Sequence, residues 1–143
     1  MLYTLKSAGK KYAYDSVSGA VIQLNALQFK MLGAILPPLT AVCPTSLRYE
    51  LAKFDSMDVE EAYEYIYSLS CEGLIYKEYD GKIRIITDGE NACADVALAG
   101  ELISLAFADA PKEFAFEIVG SILVEEIKTI AAGEAVKLGK KII

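Results

Sequence analysis

Three thiols and a scatter of carboxylates are the side chains of this sequence best suited to chemistry. Cys43, Cys71 and Cys93 stand 28 and 22 residues apart, a spacing that makes neither a paired metal-binding motif nor an even disulfide framework. They read as buried free thiols of a reducing compartment. Among the acids, Asp109 and the pair Glu125-Glu126 are the candidates for general acid–base work. Adjacent glutamates on a helix point in different directions, however, and read as a solvated face. The chain has no histidine, which removes the commonest general base and metal ligand near neutral pH. The sequence therefore predicts no catalytic residue, no metal site, no cofactor and a non-enzymatic role.

The remaining residues must then serve binding, and composition says what kind. With 143 residues, 54% of them apolar and 24% charged, the chain has enough material for a buried core and is not of disordered composition. Charges interrupt every apolar run before the ~18 residues a membrane span needs. No basic segment precedes an apolar leader, so a cytoplasmic protein without a membrane partner is expected. A net charge of −6 repels phosphate backbones and disfavours nucleic acid. All nine tyrosines lie between Tyr3 and Tyr79, while alanine becomes dense from Ala92 onward. The shift falls at the turn-rich segment 86–91, which predicts two units, 1–88 and 89–143.

In the first unit, residues 2–6 and 11–15 alternate as strands, Ser18-Gly19 supplies a turn, and 20–24 form a third, largely apolar strand. Asn25 with Gln28 has the pattern of a capping box, and Leu24, Leu27, Met31, Leu32 and Ile35 repeat at helical spacing until Pro37-Pro38. A short helix capped by Thr45 or Ser46 carries Leu47, Leu51 and Phe54. A third helix is expected from Asp58, with Glu61 closing a second capping box. Its inner stripe is Val59, Ala62, Tyr63, Ile66 and Leu69, and Gly73 is its stop. Residues 75–79 and 82–86 flank Asp80-Gly81, a strong two-residue hairpin signal. The expected fold is α+β: a three-stranded antiparallel sheet and a three-helix winged helix-turn-helix, followed by a small α/β or helical unit. In that second unit, 95–108 reads as a helix (with a buried strand as the alternative over 103–108), 113–119 as a strand, and 122–143 as a helix broken or bent near Gly133.

Asp15, then Ser18-Gly19-Ala20-Val21, then Glu61-Ala62 and Leu69 to Leu74 form an ordered set. On these residues the chain resembles the PqqD-like class of peptide-recognition domains, named for the pyrroloquinoline quinone biosynthesis D protein. It is similar in particular to the domain at the front of SCIFF-type radical-SAM maturases, which install thioether links in cysteine-rich peptides. The likeness covers roughly residues 1–80; each motif is a short string, and their order and spacing carry it. It implies a recognition element for ribosomally made, modified peptides, binding the leader segment of a precursor and presenting it to a radical-SAM maturase or another modifying enzyme. The leader is expected to add as a strand along Ala20, Val21, Ile22, Gln23 and Leu24, against a wall formed by Tyr63, Tyr67 and Ser70 of the third helix. Strand addition takes affinity from main-chain hydrogen bonds and specificity from side-chain pockets, and tyrosine suits such a wall.

The chain departs from those maturases in one respect. A radical-SAM enzyme needs a C-x-x-x-C-x-x-C loop for its [4Fe–4S] cluster, and beyond residue 88 there is only Cys93. The chain is thus expected to be a stand-alone, non-catalytic binding module. The stretch 112–130 is similar to the strand and helix that follow the cluster loop, so the second unit reads as a degenerate barrel fragment or a dimerisation element, with a homodimer as a possible assembly. The rival from another class is a winged-helix transcription regulator. Against it, Glu60, Glu61, Glu64 and Glu72 decorate the helix that would enter a DNA groove.

Overall fold

The computed structural model describes all 143 residues. The fold is α+β and opens with an antiparallel sheet of β1 (Leu2–Ser7), β2 (Lys10–Asp15) and β3 (Val21–Leu24), in that order. Ala8 and Gly9, both at positive φ, close the first hairpin in register Ser7↔Lys10, the two-residue turn that matches strand twist. The Asn25–Gln28 capping box forms as the sequence predicts and starts α1 (Ala26–Leu32); such a cap is worth about 1 kcal/mol. Two more helices follow, α2 (Thr45–Glu50) and α3 (Ser56–Cys71).

The tight link between β2 and β3 is built around one buried carboxylate. Asp15 accepts from the backbone N–H of Val17 at 2.9 Å and Ser18 at 3.0 Å, and from that of Lys77 at 3.3 Å. These bonds offset the cost of burying it. The turn so fixed presents its carbonyls to β4 (Lys82–Ile86): Arg84 N–H donates to Ser16 O at 2.8 Å and Ile86 N–H to Gly19 O at 2.9 Å. Gly19 is required there. Its φ is +85°, and a Cβ would sit 3.0 Å from Arg84 Cβ and 3.1 Å from backbone atoms.

The C-terminal half alternates strand and helix: β4, α4 (Val96–Asp109), β5 (Glu113–Val119), α5 (Val124–Leu138) and β6 (Lys141–Ile142). All three strands are parallel, in order β4-β5-β6, as helical crossovers dictate. Asp95 caps α4 by accepting from Leu98 N–H at 2.7 Å. At the other end of α4, Lys140 Nζ donates to the carbonyls of Phe107, Ala108 and Ala110, placing a cation on the negative pole of the helix.

Two cores result, and the N-terminal sheet is the wall between them. Ala13, Ala20, Ile22 and Leu24 face α1 and α3 together with Met31, Tyr63 and Ile66. Tyr14 and Val21, pointing the opposite way as period-two alternation requires, join Ile83, Ile85, Leu102, Ile103, Phe107 and Phe114. Burying one such Ile side chain stabilises by about 2 kcal/mol.

Several sequence expectations are corrected. Residues 75–79 form no strand, so the wing is absent. Asp80 instead accepts from Lys82 N–H and pairs with the Arg84 guanidinium, while β4 pairs with β5 on one side and the 16–19 turn on the other. The strand placed at the end of the first unit thus belongs to the second sheet. Helix α3 starts at Ser56 with Asp55 as its cap, accepting from Met57 and Asp58 N–H, rather than at Asp58. Pro44 precedes α2, with no side-chain cap. Helix α5 runs through Gly133 and ends at Gly139, φ +66°, after which β6 replaces the expected helical tail. Cys71 is exposed; Cys43 and Cys93 are buried, and all three are free.

Candidate functional site

The groups with chemical potential are scattered. No three His, Cys, Asp or Glu side chains converge as a metal site. Asp109 accepts from the Tyr3 hydroxyl at 2.9 Å, and Glu125 lies 3.7 Å from Lys128 on an exposed helix face. No helix is long and apolar enough to cross a membrane. Both outer strands of the first sheet, β1 and β3, carry an open backbone rim, and that of β3 runs beside clefts walled by α3.

Asp15 N–H donates to Ala20 O at 3.1 Å. Antiparallel alternation then turns Ile22 and Leu24 toward β2 and the amides and carbonyls of Val21 and Gln23 outward. One of these outward groups is occupied: Val21 N–H donates to Asn91 O at 2.9 Å. The Val21 carbonyl and both backbone groups of Gln23 have no protein partner. Asn91 holds φ +58°, a left-handed conformation that Asn tolerates better than most residues. The loop carrying it is tied down by Cys93 N–H donating to Ile86 O at 2.7 Å. The rim of β3 is thus plugged at its start and open at its end.

Two clefts follow this rim in tandem. The first, about 340 Å³, lies between Val21 and Gln23 of β3, Tyr65 of α3, and Asn91 and Asp95 of the loop before α4. The second, about 490 Å³, lies where the rim passes into α1, between Asn25, Gln28, Asp58, Glu61 and Ala62. Asp58, Glu61, Ala62 and Tyr65 stand at i, i+3, i+4 and i+7, so one face of α3 walls both clefts. Tyr65 is 38% exposed. Burial first, and then the carboxylates of Glu72 and Glu90, raise its phenol above the ordinary value.

The expected site residues divide. Ala20, Val21, Ile22 and Leu24 are buried in the two cores, Gln23 is exposed, and the open backbone groups belong to Val21 and Gln23. Tyr63, Tyr67 and Ser70 lie on the other side of α3, since two residues turn the chain by about 200° at 3.6 residues per turn. Tyr63 is 1% exposed, donates to Thr40 O at 2.6 Å and stacks on Tyr67 at 6.5 Å between ring centroids. Tyr63 anchors the segment between α1 and α2 and shares a core with Ile22 and Leu24, and none of Tyr63, Tyr67 and Ser70 lines the clefts along the β3 rim. The aromatic that does face it, Tyr65, went unnoticed in the sequence, as did Asn91. The available signal was an aromatic set among Glu61, Glu64 and Glu72, off the apolar stripe. Comparison of the chain with protein-family models and with curated proteins gave no match.

Proposed function

We propose that this protein is a non-catalytic module that binds an extended peptide by adding it as a fourth strand to β3. The guest is the leader segment of a ribosomally made precursor, presented to a separate modifying enzyme such as a radical-SAM maturase. The observation that carries this reading is the outward, unpartnered backbone of Gln23 and the Val21 carbonyl, set between an aromatic helix face and a tethered loop. Main-chain pairing there needs no particular guest sequence, and the two clefts give alternate guest side chains somewhere to rest. An edge strand with nothing to receive would ordinarily be covered or charged.

The test is a titration of the ¹⁵N-labelled full chain with leader peptides of precursors encoded beside its gene, followed by amide shifts. Perturbation centred on Val21, Gln23, Tyr65 and Asn91 is expected. Saturating peptide with no change along residues 20–24 would sink the proposal.

A further inference from the structure

We infer that β3 reads its guest as a three-residue extended motif, through a window of main-chain groups closed at both ends by the protein itself. This rests on the strand-addition reading and adds to it the length of the paired segment. The outward groups of the rim run from Val21 N–H to Asn25 C=O, and both extremes are taken. At the first, Val21 N–H donates to Asn91 O at 2.9 Å. At the other, Asn25 N–H donates to Gln28 Oε1 at 2.9 Å, and Asn25 O accepts from Phe29 N–H at 3.0 Å. Between them stand Val21 C=O, Gln23 N–H and Gln23 C=O, without a partner in the protein.

Both stops are anchored. The loop carrying Asn91 is tied on one side by Cys93 N–H on Ile86 O at 2.7 Å. On the other side, the Asp88 carboxylate accepts from Ser121 N–H at 2.6 Å and from its hydroxyl at 3.0 Å. The Asn91 carbonyl thus stands where a guest carbonyl would have to reach Val21. Asn25 and Gln28 form the capping box of α1, so a guest pairing beyond Gln23 would undo the start of that helix.

Ladder geometry then sets what the guest has to offer. An antiparallel guest pairs the N–H and C=O of one residue with Gln23, and the N–H two residues later with Val21 C=O. A parallel guest sends its first N–H to Val21 C=O and its C=O to Gln23 N–H. The N–H two residues later then reaches Gln23 C=O. Either direction uses the same three guest groups: N–H and C=O of one residue, and N–H of the residue two on. Proline, lacking that N–H, is excluded from the first and third places of the motif. Each bond is worth about fivefold in affinity, and lengthening the guest past the window adds none.

Capped peptides of alternating valine and glutamine, five and nine residues long, titrated into the ¹⁵N-labelled full chain with amide exchange followed, test this. Both are expected to slow exchange at Gln23, with affinities within about threefold, because the longer one only offers more registers of one grip. The Val21 amide is expected to exchange slowly before any peptide is added. Asn91→Pro cannot hold φ +58° and moves that stop aside. Val21 should then exchange faster in the free protein, and the nine-residue peptide should bind about fivefold tighter. Asn91→Gly keeps the left-handed turn and should change neither. A nine-residue peptide bound more than about tenfold tighter than the five-residue one in the wild type would overturn the closed window while leaving strand addition intact. Fast exchange of Val21 in the free wild type would do the same. Failure of both peptides to protect Gln23 would overturn both readings.

Discussion

The rims of β3 and β4 receive opposite treatment. Strand β4 has both sides taken, by β5 through five register pairs and by the 16–19 turn through Arg84 and Ile86. Strand β3 has β2 on one side and, on the other, a single bond from Val21 N–H to Asn91 O. Yet the two strands touch the same turn and serve the same core. A filled rim yields stability, because each ladder bond contributes about 1 kcal/mol and a buried one left unmade costs more. An exposed rim yields availability, since its groups exchange water for a guest at small net cost. The difference teaches that the molecule fills the rim of β4 and leaves that of β3 unpaired beyond its one bond to Asn91.

The sharpest way to break this contrast is at the turn that fills β4. Gly19→Val must place a branched side chain at φ +85° within 3.1 Å of Arg84 and Ile85 backbone. It should cost about 3 kcal/mol in urea unfolding, from left-handed strain plus overpacking.

Next comes Tyr14, whose hydroxyl donates to Arg84 O at 2.6 Å. Tyr14→Phe should cost about 1 to 2 kcal/mol, because a buried carbonyl loses its donor. It also tests alkaline behaviour. Burial first, then Tyr3 and Asp15, holds this phenol above its ordinary 10.0. The neutral phenol is the folded form, so its stabilisation is complete below pH 10 and falls away as the pH climbs beyond it. Stability curves against pH should drop above about pH 10 in the wild type and less steeply in Tyr14→Phe.

At β3 itself, Gln23→Pro removes an N–H that no protein group uses. Thermal unfolding should move by no more than about 1 kcal/mol, as proline is tolerated at strand rims, while peptide-induced shifts disappear. Loss of the fold would show that the rim is internally paired.

The smallest effect is expected at Asp80, which the Arg84 guanidinium holds below its ordinary 3.8. A lowered carboxyl contributes above pH 3.8, and that contribution is lost as the pH falls through its folded value. Asp80→Asn should flatten the acid limb slightly in a pH series of unfolding midpoints.

Local signals were readable where local partners satisfied them. The first hairpin, the Asn25–Gln28 box and the start of α4 at Asp95 all close within a few residues, so the sequence shows them. Asp80-Gly81 misled because Ile83 and Ile85 gain more from β5, some thirty residues away, than from 75–79, and hairpin chemistry does not report that competition. Helical spacing grouped Tyr63, Tyr67 and Ser70 correctly onto one side of α3, but spacing alone does not say which neighbour that side meets. Two-residue β6 carries no periodicity at all. The Asn91 plug depends on a loop conformation that leaves no pattern in residue types.

The wall shared by the two cores bears on how this chain has to be handled as a unit. Val21 is pressed into the C-terminal core and Ile22 into the helical one, so each half supplies lining for the other. Cutting the chain after β4 would strip cover from Tyr14 and Val21 and leave β4 without its parallel neighbour. The β3 rim is therefore no detachable cassette: grafted elsewhere or expressed alone, residues 1–88 would carry a sticky, half-clothed sheet, with Tyr14 and Val21 uncovered.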